Sequence, residues 1–598
     1  MVSGRGLRWQ PLRMSNLVYS GPPKPTSRER RELLRRVLKQ TGVGKLVTMR
    51  GLWRMIRATV TNTRTPSTIY SFHAANVPDK PAFIWRDKMH TFASFDARAT
   101  EVGKAFVANG IGRGSNVLLM MRNRLEFMEL NVGAQRVSAP ACSVSWRSTA
   151  AELAYLAQSS DARMLFIEDS FEEVALEALE RVPSLPREKV FIIGKSRHGL
   201  REYDEFLASG ASVRKNVERA DVGAAVVIYT SGTTGKPKGA VRTFPREALP
   251  QALRFIDQTP MTSDDVHLAT CPLYHSTAYG FVSLCGLLAT TIVILDEFKV
   301  EPFVDAVEKY KVTSTAVVPT ILSRLLRWRE TTTEPRNLSS LKAVFTAGAP
   351  LPGPLANGFM DEFGEVLFNL YGATETGMVT LAKPRDLREA PGTIGRMVPG
   401  NHIRFIGEDG ADVPHGGIGE LYVHSPMLVR GYYKNDQATQ ESMIDGYFSV
   451  GDLARVDPNG RIFIEGRRRD MIISGGTNVY PAEVEAALDA HPAVEESAVV
   501  GVANPDLGEH VRAFVVVKQG RSLEEQELRA FLRKELSGVK VPREIVFMPE
   551  LPRNLSGKVL KNELRKIMLA SDEELALADR ASAHLSSAAL VARTPTET

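Results

Sequence analysis

Tyr229-Thr230-Ser231-Gly232-Thr233-Thr234-Gly235-Lys236-Pro237-Lys238-Gly239 is the stretch that decides how this chain is read. It closes a short apolar run, Ala224-Ala-Val-Val-Ile-Tyr229, of the kind that forms a buried strand. Apolar side chains then give way to hydroxyls, glycines and two lysines. Glycines let successive backbone N–H groups converge on an anion, and Thr230, Ser231, Thr233 and Thr234 add donors at low steric cost. Lys236 and Lys238 bring positive charge to phosphate oxygens. The spacing is not that of a Walker A loop, which sets four residues between its glycine and a Gly-Lys pair and then has Ser or Thr. Here two residues separate Gly232 from Gly235, and Pro237 follows Lys236. A proline at that place argues against a helix running straight on from the loop. The plain alternative is a Ser/Thr/Gly-rich hairpin turn with solvated lysines.

Around this loop the chain has the make-up of a globular protein too long for one core. Its 598 residues, 43% hydrophobic and 24% charged, suit two or more domains. Cys142, Cys271 and Cys285 show neither CxxC nor metal-ligand spacing, which suits a reducing compartment without structural zinc. The most apolar long segment, 278–295, is interrupted by Gly280, Gly286, Thr290 and Thr291, so a buried helix–strand pair is expected there rather than a membrane span. Charge is unevenly placed. Residues 1–70 hold twelve Arg and three Lys against Glu29 and Glu32, a net +13; the whole chain is +6, so the remainder carries −7.

Residues 1–67 are expected to be a basic extension, with Gly21-Pro-Pro-Lys-Pro25 as a breaker and two helix-compatible stretches, 27–40 and 45–60. Leu46, Met49, Leu52, Trp53 and Ile56 form an apolar stripe among arginines. Such a segment suits an anionic membrane surface, docking on the acidic body of the same chain, or a mitochondrial presequence. No recognition motif accompanies the charge, so nucleic acid is not expected as a partner. The body begins at Thr68. Strand and helix patterns alternate from 79–82 and 99–110 through Val117-Leu-Leu-Met120, 127–133, 151–156 and Met164-Leu-Phe-Ile167, which implies a parallel, doubly wound sheet. Thr291-Ile-Val-Ile-Leu295, Ser314-Thr-Ala-Val-Val318 and Ala343-Val-Phe-Thr346 imply a second one. Short strands after Gly392, such as Gly419-Glu-Leu-Tyr-Val423, suggest a small β-subdomain. Beyond Arg467 an α+β piece is expected, with strands at 497–502 and 511–517, and the Ala/Ser-rich tail 571–598 is expected to lack order.

The loop does not stand alone. Pro272-Leu-Tyr-His-Ser276, Tyr371-Gly-Ala-Thr-Glu-Thr-Gly377, Gly451-Asp-Leu453, Gly466-Arg-Arg-Arg-Asp470 and Pro552-Arg-Asn-Leu-Ser-Gly-Lys558 follow in order over roughly residues 68–570. With the loop, this set resembles the adenylate-forming acyl-CoA synthetases and their luciferase and peptide-synthetase relatives. The resemblance implies a large ATP- and acyl-binding domain over 68–466 and a mobile lid domain over 467–570. It also implies ATP and Mg²⁺, with coenzyme A as co-substrate. A carboxylate does not react with a thiol because its leaving group is oxide; joining it to AMP supplies a good one. That step needs the α-phosphorus open to in-line attack and its charge stabilised.

Residue by residue, the resemblance makes 230–236 and Lys238 the phosphate grip, with Thr230 also among the catalytic groups. Glu375 matches the magnesium ligand, Thr374 the α-phosphate contact, and Tyr371 with Gly372 the adenine platform. Gly348, Ala349 and Pro350 match the segment lining the adenine pocket. Asp452 matches a ribose clamp, since one carboxylate accepts from both hydroxyls, and Arg467 joins it. Val450 departs from the threonine usual there. Lys558 matches the catalytic lysine bridging acid and α-phosphate. His275 falls in the acyl-pocket and thiol-gate motif, Gly475 and Gly476 match the pair beside the pantetheine arm, and Arg469 matches the hinge, usually Lys or Asp. Taken singly, Glu375 reads as a loop acid, Lys558 as a surface lysine and His275 as a structural histidine. The activity implied is ATP-dependent conversion of a medium- to long-chain fatty acid to acyl-AMP and then acyl-CoA. Loading of an acyl carrier protein and aryl-acid CoA ligation are the nearest alternatives within the fold; a non-catalytic lipid binder held to membranes by the basic extension, and oxygenation of the adenylate as in luciferases, are the rivals of another class. A cytoplasmic setting, peripheral on the inner membrane face, or a mitochondrial one in a eukaryote, goes with the extension. The oligomeric state is left open.

Overall fold

The computed structural model describes residues 26–61, 65–214, 225–230, 238–243, 248–333, 336–474, 477–504, 507–536, 538–554 and 558–567. The architecture is α/β with mixed sheets, a large N-terminal part and a smaller C-terminal one. Two large sheets organise the first part. One runs, strand beside strand, through Arg396–Met397, Gly377–Ala382, Leu367–Ala373, Ala343–Thr346, Ser314–Val317, Val266–Ala269, Thr291–Ile294, Pro81–Trp85 and Lys88–Thr91. Its middle is parallel and both margins are antiparallel. The other runs Arg201–Glu202, Val190–Ile193, Ala162–Glu168, Asn116–Met120, Ala141–Val144, Ala225–Thr230 and Lys238–Thr243, parallel up to its last, antiparallel pair.

The apolar runs read from sequence are these central strands. Asn116–Met120, Ala141–Val144 and Ala343–Thr346 are buried along their whole length, as parallel strands covered by helices on both faces must be. The segment 278–295 is the expected pair: helix Ser276–Leu288, then strand Thr291–Ile294. Among the described residues no helix is long and apolar enough to cross a membrane. Two expectations need correction. The opening strand, Pro81–Trp85, does not join the sheet of Asn116–Met120; it pairs in parallel with Thr291–Ile294 of the other one. Nor are the sheets purely parallel. Hairpin partners close their margins, and one of these hairpins, Ala225–Thr230 with Lys238–Thr243, flanks residues 231–237.

Three smaller units complete the body. His402–Ile406, Gly419–His424, Tyr447–Val456, Met443–Ile444 and Ile462–Arg467 form the anticipated β-subdomain. The C-terminal piece pairs Val494–Asn504 with Gly508–Val517 and adds Glu544–Phe547 in parallel, with helices Pro481–Asp489 and Glu525–Glu535 against it. The third unit is the described part of the extension, which packs on the body. In helix Ser27–Thr41, Leu33 and Val37 are buried, Arg36 pairs with Asp257 at 3.0 Å, and the Gln40 amide donates to the Thr259 carbonyl at 2.6 Å. Residues 1–25 and the tail 571–598 lie outside the described residues.

Candidate active site

Among the described residues, 275–276, 348–350 and 371–377 follow the carboxyl ends of parallel strands of the larger sheet, the usual place for a ligand in an open α/β sheet. Leu367–Ala373 and Gly377–Ala382 form a hairpin whose tip is Thr374-Glu375-Thr376. The tip is closed by the Ala373 N–H donating to Thr376 Oγ1 at 3.1 Å. Its shape requires glycine at two positions: Gly377 has φ +74°, and a Cβ on Gly372 would lie 2.0 Å from the Gly377 carbonyl oxygen. Beside the tip, Ser276 Oγ lies 3.1 Å from Thr374 Oγ1, which seats the start of helix Ser276–Leu288, and His275 before it, against the hairpin. The His275 ring packs against Tyr274 at 4.2 Å between centroids.

Tyr371, Asp452 and Arg467 form one bonded unit. Asp452 and Arg467 face each other across adjacent strands of the β-subdomain. Arg467 Nε stands 3.1 Å from Asp452 Oδ1, while the Tyr371 hydroxyl donates to Oδ2 at 2.7 Å. Burial, then the Asp452 charge, raises the Tyr371 phenol well above its ordinary range, so it stays a donor. Val450, which lacks a hydroxyl, packs with Ala240, Val429 and Phe448, and the Gly451 N–H finds its acceptor in Ser449 Oγ at 2.9 Å.

Lys558 reaches this unit from the C-terminal piece. Its backbone is fixed by reciprocal bonds with Asn554, each 2.8 Å. Burial, then the positive charge of Arg467, lowers its ammonium from the ordinary 10.5 to about 8, against the pull of Asp452. Arg469 and Asp470 also act on it. They sit in a single tight turn, Arg468–Asp470, between the β-subdomain and the C-terminal sheet. Asp470 is held by Arg565 at 2.8 Å, and Arg468 by Glu420 at 2.9 Å. The arrangement thus sets a cation at Lys558 near a carboxylate at Asp452 that Arg467 and Tyr371 already contact.

Glu375 is buried, and its Oε1 accepts the Tyr432 hydroxyl at 2.9 Å. Tyr432 lies on a strap, 429–433, which ties the phosphate hairpin to the Glu375 turn. Val241 N–H donates to Gly431 O at 3.1 Å, Tyr433 N–H to Gly239 O at 2.7 Å, and Val429 N–H to Glu375 O at 2.9 Å. The Lys238 ammonium stands 5.3 Å over the Tyr432 ring. Sequence reasoning missed Tyr432, and no spacing rule connects it to a residue 57 positions earlier. The hard carboxylate oxygens of Glu375 fit Mg²⁺, which takes one or two protein carboxylates and completes its shell with phosphate oxygens and water. Among the described residues no three His, Cys, Asp or Glu gather as a metal cage.

Of the other candidates, Gly348 lies just past strand Ala343–Thr346 with φ +88° and leads into Ala349 and Pro350. The Thr230 side chain, residues 231–237 with Lys236, and Gly475 and Gly476 lie outside the described residues. Two family models match the chain: AMP-binding enzyme over residues 71–433, and AMP-binding enzyme C-terminal domain over 483–558. A fatty acid–[acyl-carrier-protein] ligase of Streptomyces coeruleorubidus is 30% identical over 83% of this chain and 95% of its own. An indoleacetate–CoA ligase of Aromatoleum aromaticum is 31% identical over 83% and 96%. The ATP-bound MatB structure from Rhodopseudomonas palustris superposes with a TM-score of 0.75 at 29% identity, over 84% of this chain and 99% of that one.

Proposed function

The chain belongs to the AMP-binding enzymes, the adenylate-forming superfamily, and from that premise we propose that it is an ATP-dependent acid–CoA ligase whose acid is a medium- to long-chain fatty acid. Two half-reactions make up the cycle. In the first, a carboxylate oxygen attacks the α-phosphorus of ATP, the bond to the β-phosphate oxygen breaks, and pyrophosphate leaves. In the second, a thiol attacks the acyl carbon, its proton is lost, and AMP departs. Asp452 and Arg467 hold the ribose, Tyr371 flanks the base, and Lys558 neutralises charge shared between acid and α-phosphate. Thr230, 231–236 and Lys238 hold the outer phosphates. Glu375 would hold Mg²⁺, which supplies charge neutralisation on the phosphate oxygens.

The observation that carries the acid class is the helix behind the hairpin. Ser276–Leu288 has no charged residue, and beyond the helix's own backbone no atom of the described residues lies within 4 Å of where a Cβ on Gly280 would stand. An uncharged wall with open space suits an apolar tail and offers no cation to a second carboxylate. Residues 68–466 are read as the binding part and 467–570 as a lid that turns at Arg469, because Lys558 and the incoming thiol need the same space; Gly475 and Gly476 would then border the thiol arm, with His275 at its gate. The test is pyrophosphate release over aliphatic acids of graded length, aryl acids and dicarboxylates, with CoA or a phosphopantetheinyl carrier protein as acceptor. Release with dicarboxylates alone overturns the acid class. Product on the carrier but not on CoA overturns the acceptor.

A further inference from the structure

The second helix of the extension, Met49–Val60, is docked by its narrow side. Thr48 donates to Asn76 Oδ1 through its N–H at 2.7 Å and its hydroxyl at 2.8 Å. Gly51, Met55 and Ala58, spaced along one stripe, face helix Thr68–Asn76. The approach is close: a Cβ on Gly51 would lie 2.1 Å from the Asn76 amide oxygen. Gly51 and Ala58 are buried on this face beside the half-buried Met55, and the other large apolar residues face outward. Met49 is 79% exposed, Leu52 44%, Trp53 63%, Ile56 52% and Val60 80%. Positions 49, 53, 56 and 60 lie one above another on a helix, with 52 beside them. Val47, just before the helix, is 40% exposed.

Arginines border this stripe. Arg50, Arg54 and Arg57 share the neighbouring stripe; Arg57 lies 5.8 Å from the centre of the Trp53 ring, and Arg54 keeps 3.6 Å from Asp96. From residue 33 to residue 78 the sequence holds eight Lys and Arg and no Asp or Glu. Apolar side chains with an indole, flanked by cations and presented on a convex helix, match the chemistry of an anionic lipid surface. The indole and alkyl groups enter the acyl boundary while the guanidinium groups stay among phosphates.

We propose that the exposed face of Met49–Val60 seats the protein on a bilayer carrying anionic headgroups. Charge decides against the other occupants. Residues 1–25 carry Arg5, Arg8, Arg13 and Lys24 and no acid, so they repel this face. A second copy meeting it face to face would set Arg50, Arg54 and Arg57 against themselves.

The experiment sediments the full-length protein with vesicles of phosphatidylcholine alone or mixed with phosphatidylglycerol, at low and high salt. The parent is expected to bind the anionic vesicles at least about tenfold better than the neutral ones and to lose that margin in salt. Trp53→Ser with Ile56→Ser lowers partition by about a hundredfold through lost apolar contact. Arg50→Gln with Arg57→Gln lowers it by about thirtyfold, from roughly 1 kcal/mol for each charge. Both double variants keep pyrophosphate release on a water-soluble acid and the parent's far-ultraviolet dichroism, since all four side chains are exposed. Any of three results overturns the proposal: a parent that ignores anionic vesicles, variants that sediment like the parent, or a parent dimer in solution that Trp53→Ser with Ile56→Ser dissociates. A parent that ignores vesicles yet binds an acidic carrier protein through these residues overturns it in favour of a protein partner.

Discussion

Lys558 is expected to cost the fold stability that the reaction needs. Unfolded, its ammonium holds a proton to the ordinary 10.5; in the site it releases it near 8. A shift of that size corresponds to about 3 kcal/mol. The side chain is only half-buried, so solvent screening brings the cost to about 1–2 kcal/mol. The sign follows from proton counts. Between pH 8 and 10.5 the unfolded state binds more protons than the folded one, so stability rises with pH across that window, and below 8 the full cost is present. Lys558→Met keeps an unbranched stem and removes the charge. It is expected to stabilise the C-terminal unfolding transition by about 1–2 kcal/mol at neutral pH and to flatten its rise toward pH 10. It should also abolish acyl-AMP formation while sparing thioester formation from supplied acyl-AMP. Urea unfolding followed by dichroism, with the two half-reactions assayed separately, gives both readings. A variant less stable than the parent at neutral pH, or one whose difference from the parent does not change between pH 7 and 10, refutes the desolvation argument. Equal loss of both half-reactions refutes the assigned role.

Arg469→Pro fixes φ within the turn Arg468–Asp470 and is expected to leave acyl-AMP formation near normal while slowing thioester formation more than about tenfold, or about 1.4 kcal/mol in barrier; an unchanged ratio of the two rates in single-turnover assays removes the hinge. Tyr432→Phe deletes the hydroxyl that bonds Glu375 Oε1. It should slow pyrophosphate release about tenfold, the effect of a hydrogen bond to a charged group, and raise the Mg²⁺ concentration needed for half-maximal rate; an unchanged Mg²⁺ dependence counts against a positioning role. Gly280→Leu fills the space beside the helix and should shorten the longest acid accepted without loss of thermal stability; an unaltered length profile means that Gly280 does not border the acyl tail.

The sequence by itself determined the strands and the family. Val117-Leu-Leu-Met120 and Ala343-Val-Phe-Thr346 are buried strands because apolar side chains, with Thr346 the one polar residue, fill both faces. Asp452, Arg467, Tyr371 and Glu375 were legible as candidates because ordered motifs carry them, and the structure joins the first three directly. Tertiary structure alone decided which sheet a strand enters. Pro81–Trp85 crosses to the side of Thr291–Ile294, a pairing over more than two hundred residues that no local pattern encodes. Pro237 argues against a continuous helix after the loop and a hairpin turn is the plain alternative; the sheet decides for it, with the chain returning antiparallel as Lys238–Thr243. Tyr432 was invisible for the same reason: its bond to Glu375 exists because backbone pairing of 429–433 with the hairpin brings the ring there. The apolar stripe of Met49–Val60 shows the opposite limit. Sequence periodicity marks a face as apolar, but whether that face turns inward depends on the space beneath it. Here the Asn76 side chain leaves room only for Gly51, so Gly51 and Ala58 turn inward beside a half-buried Met55, while Met49, Leu52, Trp53, Ile56 and Val60 remain in contact with solvent.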